Sequence, residues 1–534
     1  MATHAGSSGE ASNVAAHSHP RSYRPAVDGL RALAVAAVIV NHLNPLWWPG
    51  GYLGVDVFFV ISGFVVSLSL LGRPIEHPRA FLLGFYSRRV RRLLPALLTT
   101  ILGASVLAGL VMYPGSLERI TSLQTALAAL VGSSNNYLLT QNADYFGISS
   151  ELNLFLHTWS LGVEEQFYLC FPVIWLLAAG RRRALMIWIS GCCMASLLFQ
   201  FWLLRDPQGF NASFYLMPAR FWELGVGALL ALGLSAFTRY RSRYLSGLAD
   251  VMALLLTLVL TILLTAGTTL SQPQNAALAV VVTAALILTL EWRGWVSRAW
   301  SQPWLLAVGL RSYGLYLWHW PLIVIARWTV GLSPFSSGAI VITTFVLAAV
   351  SYRWIEVPLR SRRWRPRARG ELALGAAGAG FAAVSLGGLM LPVVTDWLWL
   401  GAHRPRVYVP PAAFPHLAYA PEIPATRLNR VACFQRFSFT EQIEIRPQDI
   451  QSCHLQPARP HAHTVFVYGD SYAGHLSPLM VRLRQERGIG VEMLIRAQCP
   501  FPARSHAVTD PCSRFDEQRR QRVLSAAQSG DVVL

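Results

Sequence analysis

The chain has 534 residues, of which 53% are hydrophobic and only 13% charged, whereas soluble globular chains are nearer one quarter charged. With a mean hydropathy of +0.40, the sequence reads as a multi-span membrane protein with a soluble remainder, which excludes an ordinary soluble enzyme. The net charge of +18 comes entirely from arginine, with no lysine among the 45 basic residues, and its placement along the chain follows membrane topology and requires no nucleic-acid partner.

Residues 1–23 open with small and polar side chains and lack the apolar core of a signal peptide. They read as a disordered cytoplasmic tail. Eleven apolar segments of spanning length follow, near 30–45, 54–71, 93–113, 158–180, 184–204, 214–235, 248–267, 274–291, 306–328, 337–356 and 373–395. Arginines concentrate in alternate connections: Arg21 and Arg24 before the first span, Arg88 to Arg92 before the third, Arg181 to Arg183 after the fourth. Arg239, Arg241 and Arg243 follow the sixth, Arg293 and Arg298 the eighth, and Arg360 to Arg369 the tenth. The positive-inside rule then sets the N-terminus in the cytoplasm. An odd number of spans carries everything after the eleventh outside.

The composition changes beyond that span. Residues 396–427 are rich in proline and alanine and read as a linker. From about 428 the chain is polar, with short apolar runs at 464–468 and 490–495 that suggest the start of an alternating α/β domain. Cys170, Cys192 and Cys193 lie in spans and read as small apolar residues. Cys433, Cys453, Cys499 and Cys512 lie in the outer part, where an oxidising compartment suggests two disulfides. Three pairings are open, and the short loops favour Cys433–Cys453 with Cys499–Cys512; four free thiols in a cytosolic domain are the alternative. No cluster has convincing metal-ligand spacing.

Ionisable side chains inside spans are costly and therefore candidates for function. The first span, DGLRALAVAAVIVNH, carries Arg31 and His42 eleven residues apart, about three turns and some 16 Å along one face. Asp28 reads as an N-terminal cap or a site residue. Asp56 lies near the outer end of the second span, and Ser62-Gly63 suits close helix packing. The fourth span begins HTWSLGVEEQFY, where His157, Glu164 and Tyr168 share a face. Arg220 and Glu223 are spaced for a structural ion pair. His319 stands between two tryptophans in SYGLYLWHWP, and Glu356 in YRWIEVPLR reads as a local partner of nearby arginines. The Arg88, Arg89, Arg91 and Arg92 cluster marks topology or clamps an anionic ligand. For His42, a hydrogen bond to a neighbouring helix is the plainer alternative.

In the outer part, TVFVYGDSYAGHL runs from a β-prone stretch into Gly469-Asp470-Ser471, the way a nucleophilic serine is presented at a strand end. A serine needs a base to act. His475 lies four residues from Ser471 but lacks an evident acid partner. Leu534 lies 63 residues after Ser471 (534 − 471), and the closing SGDVVL reads as the start of another buried strand. GDSYAGH resembles the start of an SGNH hydrolase-like domain, and that resemblance implies a base supplied late in the domain by an Asp-x-x-His pair; neither Asp510 nor Asp516 has a histidine three residues on, so the base is expected beyond Leu534, with the SGNH-like part incomplete.

Taken in order, DGLRALAVAAVIVNH, GYLGVDVFFVISGF, FYSRRVRRLLPAL, HTWSLGVEEQFY, RFWELGVGAL, SYGLYLWHWP and YRWIEVPLR resemble the bacterial membrane acyltransferase type 3 family over residues 24–360. GDSYAGH resembles the first block of an SGNH hydrolase-like domain. The fusion of the two through an extra span at 373–395, with the SGNH-like part at 428–534, resembles the subgroup that O-acylates envelope polysaccharides. The implied fold is a polytopic α-helical membrane domain of about eleven spans followed by the start of an α/β SGNH-like domain.

The resemblance implies transfer of an acyl group, acetyl in most members, from cytoplasmic acyl-CoA (acetyl-CoA) across a bacterial inner membrane to hydroxyls of an envelope glycan such as lipopolysaccharide O-antigen, with a periplasmic C-terminal domain and no metal. It assigns catalysis to His42 and Ser471, and donor binding to Arg31, Arg88, Arg89, Arg91 and Arg92; Glu164, His319 and Asp28 are further membrane-domain candidates without an assigned role. Tyr472 departs from the histidine that often follows the serine in fused relatives. Two other readings stay open: a transporter or flippase of an envelope precursor, and a periplasmic glycan esterase with a membrane anchor.

Overall fold

A computed structural model describes residues 23–400 apart from 72, 74, 113–115, 142–151, 207–208 and 238–242, and beyond them residues 434–435, 454–455, 463–469, 480, 484, 487–496, 511–528 and 531–533. The chain divides into two units, 1–403 and 404–534.

The first unit is helical. Among the described residues, eleven long helices occupy the eleven apolar segments: α1 (Pro25–Leu43), α2 (Gly54–Leu70), α3 (Pro78–Val111), α4 (Thr158–Leu177), α5 (Arg182–Leu203), α6 (Met217–Phe237), α7 (Arg243–Ala266), α8 (Gln272–Leu290), α9 (Ser312–Thr329), α10 (Pro334–Ser351) and α11 (Ala368–Met390). Among the described residues, nine segments are long and apolar enough to cross a membrane by length and composition. α4 and α9 fall outside that set because Glu164, Glu165 and Gln166 dilute the one, and Trp318, His319, Trp320 and Arg327 the other. The count of eleven spans is thus approximate by composition, and the two polar helices are the ones that build the site.

Burial sorts the helices into a centre and a rim. The spanning windows of α1 and α2 are 78% and 72% buried, whereas those of α5, α7 and α10 are 28% and that of α11 22%. The rim helices expose Ile187, Trp188 and Phe201, Leu255 and Ile262, and Phe381 and Val384, side chains that lipid tails solvate without penalty. The centre leans on small residues instead. A Cβ on Gly63 would lie 1.8 Å from the Leu224 carbonyl oxygen, and one on Gly227 2.0 Å from that of Val60. The backbones of α2 and α6 therefore touch, the contact that glycine permits between membrane helices.

α10 passes into a π-helical turn, Tyr352–Glu356, which turns Glu356 inward. Such turns recur at functional sites. α11 is pinned to α3 by Glu371, which accepts from Ser87 Oγ, from the Trp364 backbone N–H at 3.1 Å and faces Arg91 Nε at 3.5 Å.

In the second unit the apolar runs are strands: β3 (Thr464–Gly469) and β4 (Gly490–Arg496) pair in parallel, with Val465 opposite Val491 and Val467 opposite Met493. β1 (Phe434–Gln435) lies parallel to β4 on its other side, where β2 (His454–Leu455) also pairs antiparallel, and β5 (Val532–Val533) lies parallel to β3. α12 (Pro511–Ala526) sends Arg522 bidentate to the buried Glu492, at 3.1 and 2.9 Å. Asp531 receives the Thr464 N–H at 2.6 Å. Val532 and Val533 are 47% and 44% exposed, so the expected buried strand is a partly open one: β3 covers one edge and nothing described covers its face. The stretches 1–22 and 401–427, Ser471, Tyr472, His475, Asp510, Cys433, Cys453, Cys499 and the Cys512 side chain lie outside the described residues.

Replacing Gly227 by Val forces α6 away from α2. The full chain in detergent is expected to lose at least about 1–3 kcal/mol in thermal unfolding, while Gly338→Val, where a Cβ meets nothing within 4 Å, leaves the melting temperature unchanged.

Candidate functional site

Three histidines from three helices meet inside the first unit. His42, in the last turn of α1, places Nδ1 3.0 Å from Nε2 of His319 on α9, with the two rings parallel, 5.3 Å between centroids and 1° between planes. His319 Nδ1 lies 3.2 Å from the Leu315 carbonyl oxygen. A carbonyl only accepts, so His319 Nδ1 carries the proton and donates; its Nε2 is then the acceptor, and His42 Nδ1–H is the donor to it. In a neutral His42 ring that order leaves Nε2 as the acceptor nitrogen. Trp320 stands edge-on to His42 at 4.6 Å, held by its own indole N–H donating to the Asn153 carbonyl at 2.7 Å. Arg327 lies over Trp320 at 5.5 Å.

His157, at the N-terminus of α4, is the third member. Its ring is 5.6 Å from that of His319 and 5.5 Å from that of Tyr316. The Tyr316 O–H donates to the His157 carbonyl at 2.9 Å and shares a 2.7 Å hydrogen bond with Ser160 Oγ. His157 is 1% exposed, His319 0% and His42 9%. Among the described residues no three such side chains converge with metal-ligand geometry.

Tyr316 and Ser160 also line a cavity of about 110 Å³. By that measure a water needs roughly 10–15 Å³, so the space holds several waters or a slender chain. Its other walls include Arg31, Arg89, Arg92, Arg360, Ser62, Glu164, Tyr168, Tyr313 and Glu356, with Phe58, Phe59 and Val66 between them. Four guanidiniums face two carboxylates, a formal excess of two positive charges (4 − 2). Glu164 is held in place: Ser62 Oγ donates to Oε1 at 2.6 Å and the Tyr168 O–H to Oε2 at 2.9 Å. Arg89 stacks over the Tyr168 ring at 4.8 Å. Arg31 pairs with Asp28 at 3.2 Å, and Tyr23 donates to the other Asp28 oxygen at 2.9 Å.

The arginine cluster divides by helical period. Arg89 and Arg92, three apart on α3, face the cavity. Arg91 turns to Glu371 and to the Arg362 carbonyl at 3.2 Å, and Arg88 lines a separate surface hollow with Arg73, Glu76 and His77. Asp28 lies inside α1, with Arg24 at the cap position, so it is a partner for Arg31 and not a cap. Ser62-Gly63 splits its roles, Gly63 for packing and Ser62 for Glu164. Glu356 faces the cavity, where the sequence suggested a local arginine pair. Arg220 and Glu223 do pair, at 3.1 Å, and Asp56 joins them at 2.8 Å on the other guanidinium nitrogen, all three fully buried beneath Phe59, Trp159 and Phe214.

Sequence reasoning singled out neither Tyr316, Ser160 nor Arg360 and noticed His157 only through its spacing to Glu164. The seven-residue step from His157 to Glu164 rises about 10 Å along the helix. Tyr316 stands three before His319, a signal that the period of α9 contains.

The fold and this site define a multi-pass membrane protein with an attached α/β unit. The chain belongs to the family described as the acyltransferase domain, whose profile matches residues 24–353, and the SGNH domain found fused to such domains matches residues 433–534. It is 31% identical over 373 residues to the O-acetyltransferase OatA of Staphylococcus aureus (strain NCTC 8325 / PS 47), covering 66% of this chain and 60% of that protein. To the peptidoglycan O-acetyltransferase OatA of Listeria monocytogenes serovar 1/2a it is 30% identical over 357 residues, covering 64% and 56%. The chain thus spans about 60% of the length of the curated relatives it matches. No solved structure matches.

Truncating Arg220 to Ala leaves Asp56 and Glu223 buried without a counter-charge. Full-chain thermal unfolding is expected to drop by about 3–5 kcal/mol, and the double change Arg220→Met with Glu223→Leu recovers part of the loss.

Proposed function

We propose that this chain moves an acetyl group from acetyl-CoA on the cytoplasmic side of a bacterial inner membrane to hydroxyls of an envelope glycan on the outer side. The observation that carries this reading is a cavity whose walls hold four arginines together with Tyr316, whose ring lies 5.4 Å from that of His319 in the hydrogen-bonded histidine pair. Guanidinium forks suit the phosphates of the nucleotide end of CoA. The slender pantetheine arm suits a narrow polar passage, and the thioester then lies near Tyr316 and Ser160. His42 Nε2, the acceptor nitrogen in that hydrogen-bond order, acts there as base. His319 sets that tautomer.

The O-acetyltransferase relatives favour O-acetylation, and the peptidoglycan O-acetyltransferase of Listeria favours peptidoglycan as acceptor over lipopolysaccharide O-antigen. Arg31, Arg89, Arg92 and Arg360 serve the donor. The SGNH unit is periplasmic in this reading, and Ser471 receives the acetyl group and hands it to the sugar.

The test uses membrane vesicles bearing the full chain, radiolabelled acetyl-CoA, and muropeptides or O-antigen fragments as acceptors. Arg92→Gln is expected to raise KM for acetyl-CoA about 10-fold, the loss of one charge-assisted contact, with kcat held. His42→Ala is expected to abolish transfer. Full-rate transfer by His42→Ala rejects the role of His42, and an unchanged KM in Arg92→Gln rejects the donor path.

A further inference from the structure

Ser62 on α2 and Glu164 on α4 share a hydrogen bond of 2.6 Å, which sets the two helices in register. N-terminal to that pair, Phe59 packs edge-on to Trp159 at 6.2 Å, so the helices run in the same direction. Phe58 lies four residues before Ser62 (62 − 58) and Ser160 four before Glu164 (164 − 160), each a rise of about 6 Å. Phe58 and Ser160 therefore stand level, and both line the cavity. Tyr316, the last residue of α9 to line it, touches both. Its O–H shares the 2.7 Å hydrogen bond with Ser160 Oγ, and its ring stands edge-on to that of Phe58 at 6.3 Å. The three form a collar with hydroxyls on one side and an aromatic ring on the other.

Past the collar the lining of α2 ends at Val55, seven residues before Ser62 (62 − 55), a further rise of about 4–5 Å. Val55 and Phe59 are buried, and Phe59 is locked between Trp159 and the Arg220 guanidinium. Phe58 is half-buried and stacks on neither. The space past the hydroxyls is thus short and apolar, with Phe58 as its adjustable wall.

We propose that Phe58 is a specificity-determining residue that limits the transferred acyl group to acetyl. This rests on the acyltransferase reading and adds to it what selects the acyl chain. With the thioester carbonyl beside the Ser160 and Tyr316 hydroxyls, the acetyl methyl meets the Phe58 ring. Each further methylene has to fit between Phe58, Phe59 and Val55, and close-packed walls resist overfilling. Arg89 stacks on Tyr168, eight residues along α4 from Ser160 (168 − 160), about 12 Å of helix. The phosphates and the acyl chain therefore occupy different stretches, and a change at Phe58 leaves the arginines in place.

The test supplies acetyl-, propionyl- and butyryl-CoA in competition to membrane vesicles bearing the full chain, with muropeptides as acceptors, and reads the ratio of the esters formed. The unaltered chain is expected to favour acetyl over butyryl. Phe58→Ala is expected to raise the butyryl-to-acetyl ratio at least about 10-fold, the discrimination that a methylene or two carries in an apolar pocket, and Phe58→Leu to raise it less. Val57→Ala, at a buried neighbour on α2 outside the cavity wall, is expected to keep the original ratio. If Phe58→Ala does not fold, Phe58→Leu decides. An unchanged ratio in the Phe58 variant that folds, an equal shift in Val57→Ala, or an unaltered chain that takes butyryl as readily as acetyl overturns this proposal alone. A chain that transfers nothing from any of the three thioesters overturns it together with the acyltransferase reading.

Discussion

The polar stretches of α4 and α9 cannot face lipid. The bilayer core offers no hydrogen-bond partners, so Glu164, Gln166, His157, His319 and Tyr316 must be enclosed by other helices. The rest of the first unit follows from that requirement. The long apolar helices α5, α7, α10 and α11 turn one face to the lipid, while α1 and α2, which neighbour the polar pair, are buried on most sides. Enclosure is completed by glycine contacts that bring α2 against α6 and by the Asp56–Arg220–Glu223 cluster that ties the same two helices together.

Enclosing polar helices creates a polar interior, and this one has two ends of different chemistry. At one end arginines outnumber carboxylates, which suits an anionic ligand. At the other, imidazoles and hydroxyls dominate, which suits proton transfer. Tyr316 belongs to both, lining the cavity while touching His157 and His319. The helical rise between Arg31 and His42 along α1, about 16 Å, and between Glu164 and His157 along α4, about 10 Å, gives two rulers for the same axis. Both run from charge to imidazole.

Much of this was legible in the sequence, and the failures have physical causes. Spans, their charge alternation and the apolar runs that became β3 and β4 depend on local composition, and composition is local information. The polar residues within spans were visible for the same reason. Their partners were not: His42 and His319 are 277 positions apart, and Asp56 and Arg220 164. Arg88 and Arg91 part from Arg89 and Arg92 through the helical period, a distinction present in the sequence but invisible until one face is known to hold the cavity. Glu356 looked like a local partner because the π-helical turn that redirects it has no simple sequence mark. The base for Ser471 stays a matter of the SGNH family pattern, since Ser471 lies outside the described residues.

The central claim is that one passage runs from the arginines to Tyr316 and Ser160 and that a CoA thioester occupies it. A structure of the full chain in lipid with a non-hydrolysable thioether analogue of acetyl-CoA tests this most directly. The account predicts the analogue's phosphates on Arg89, Arg92 and Arg360, and its acyl end beside Tyr316 and Ser160. Phosphates bound at the separate hollow of Arg73 and Arg88, or an acyl end that stops short of Tyr316, would contradict it.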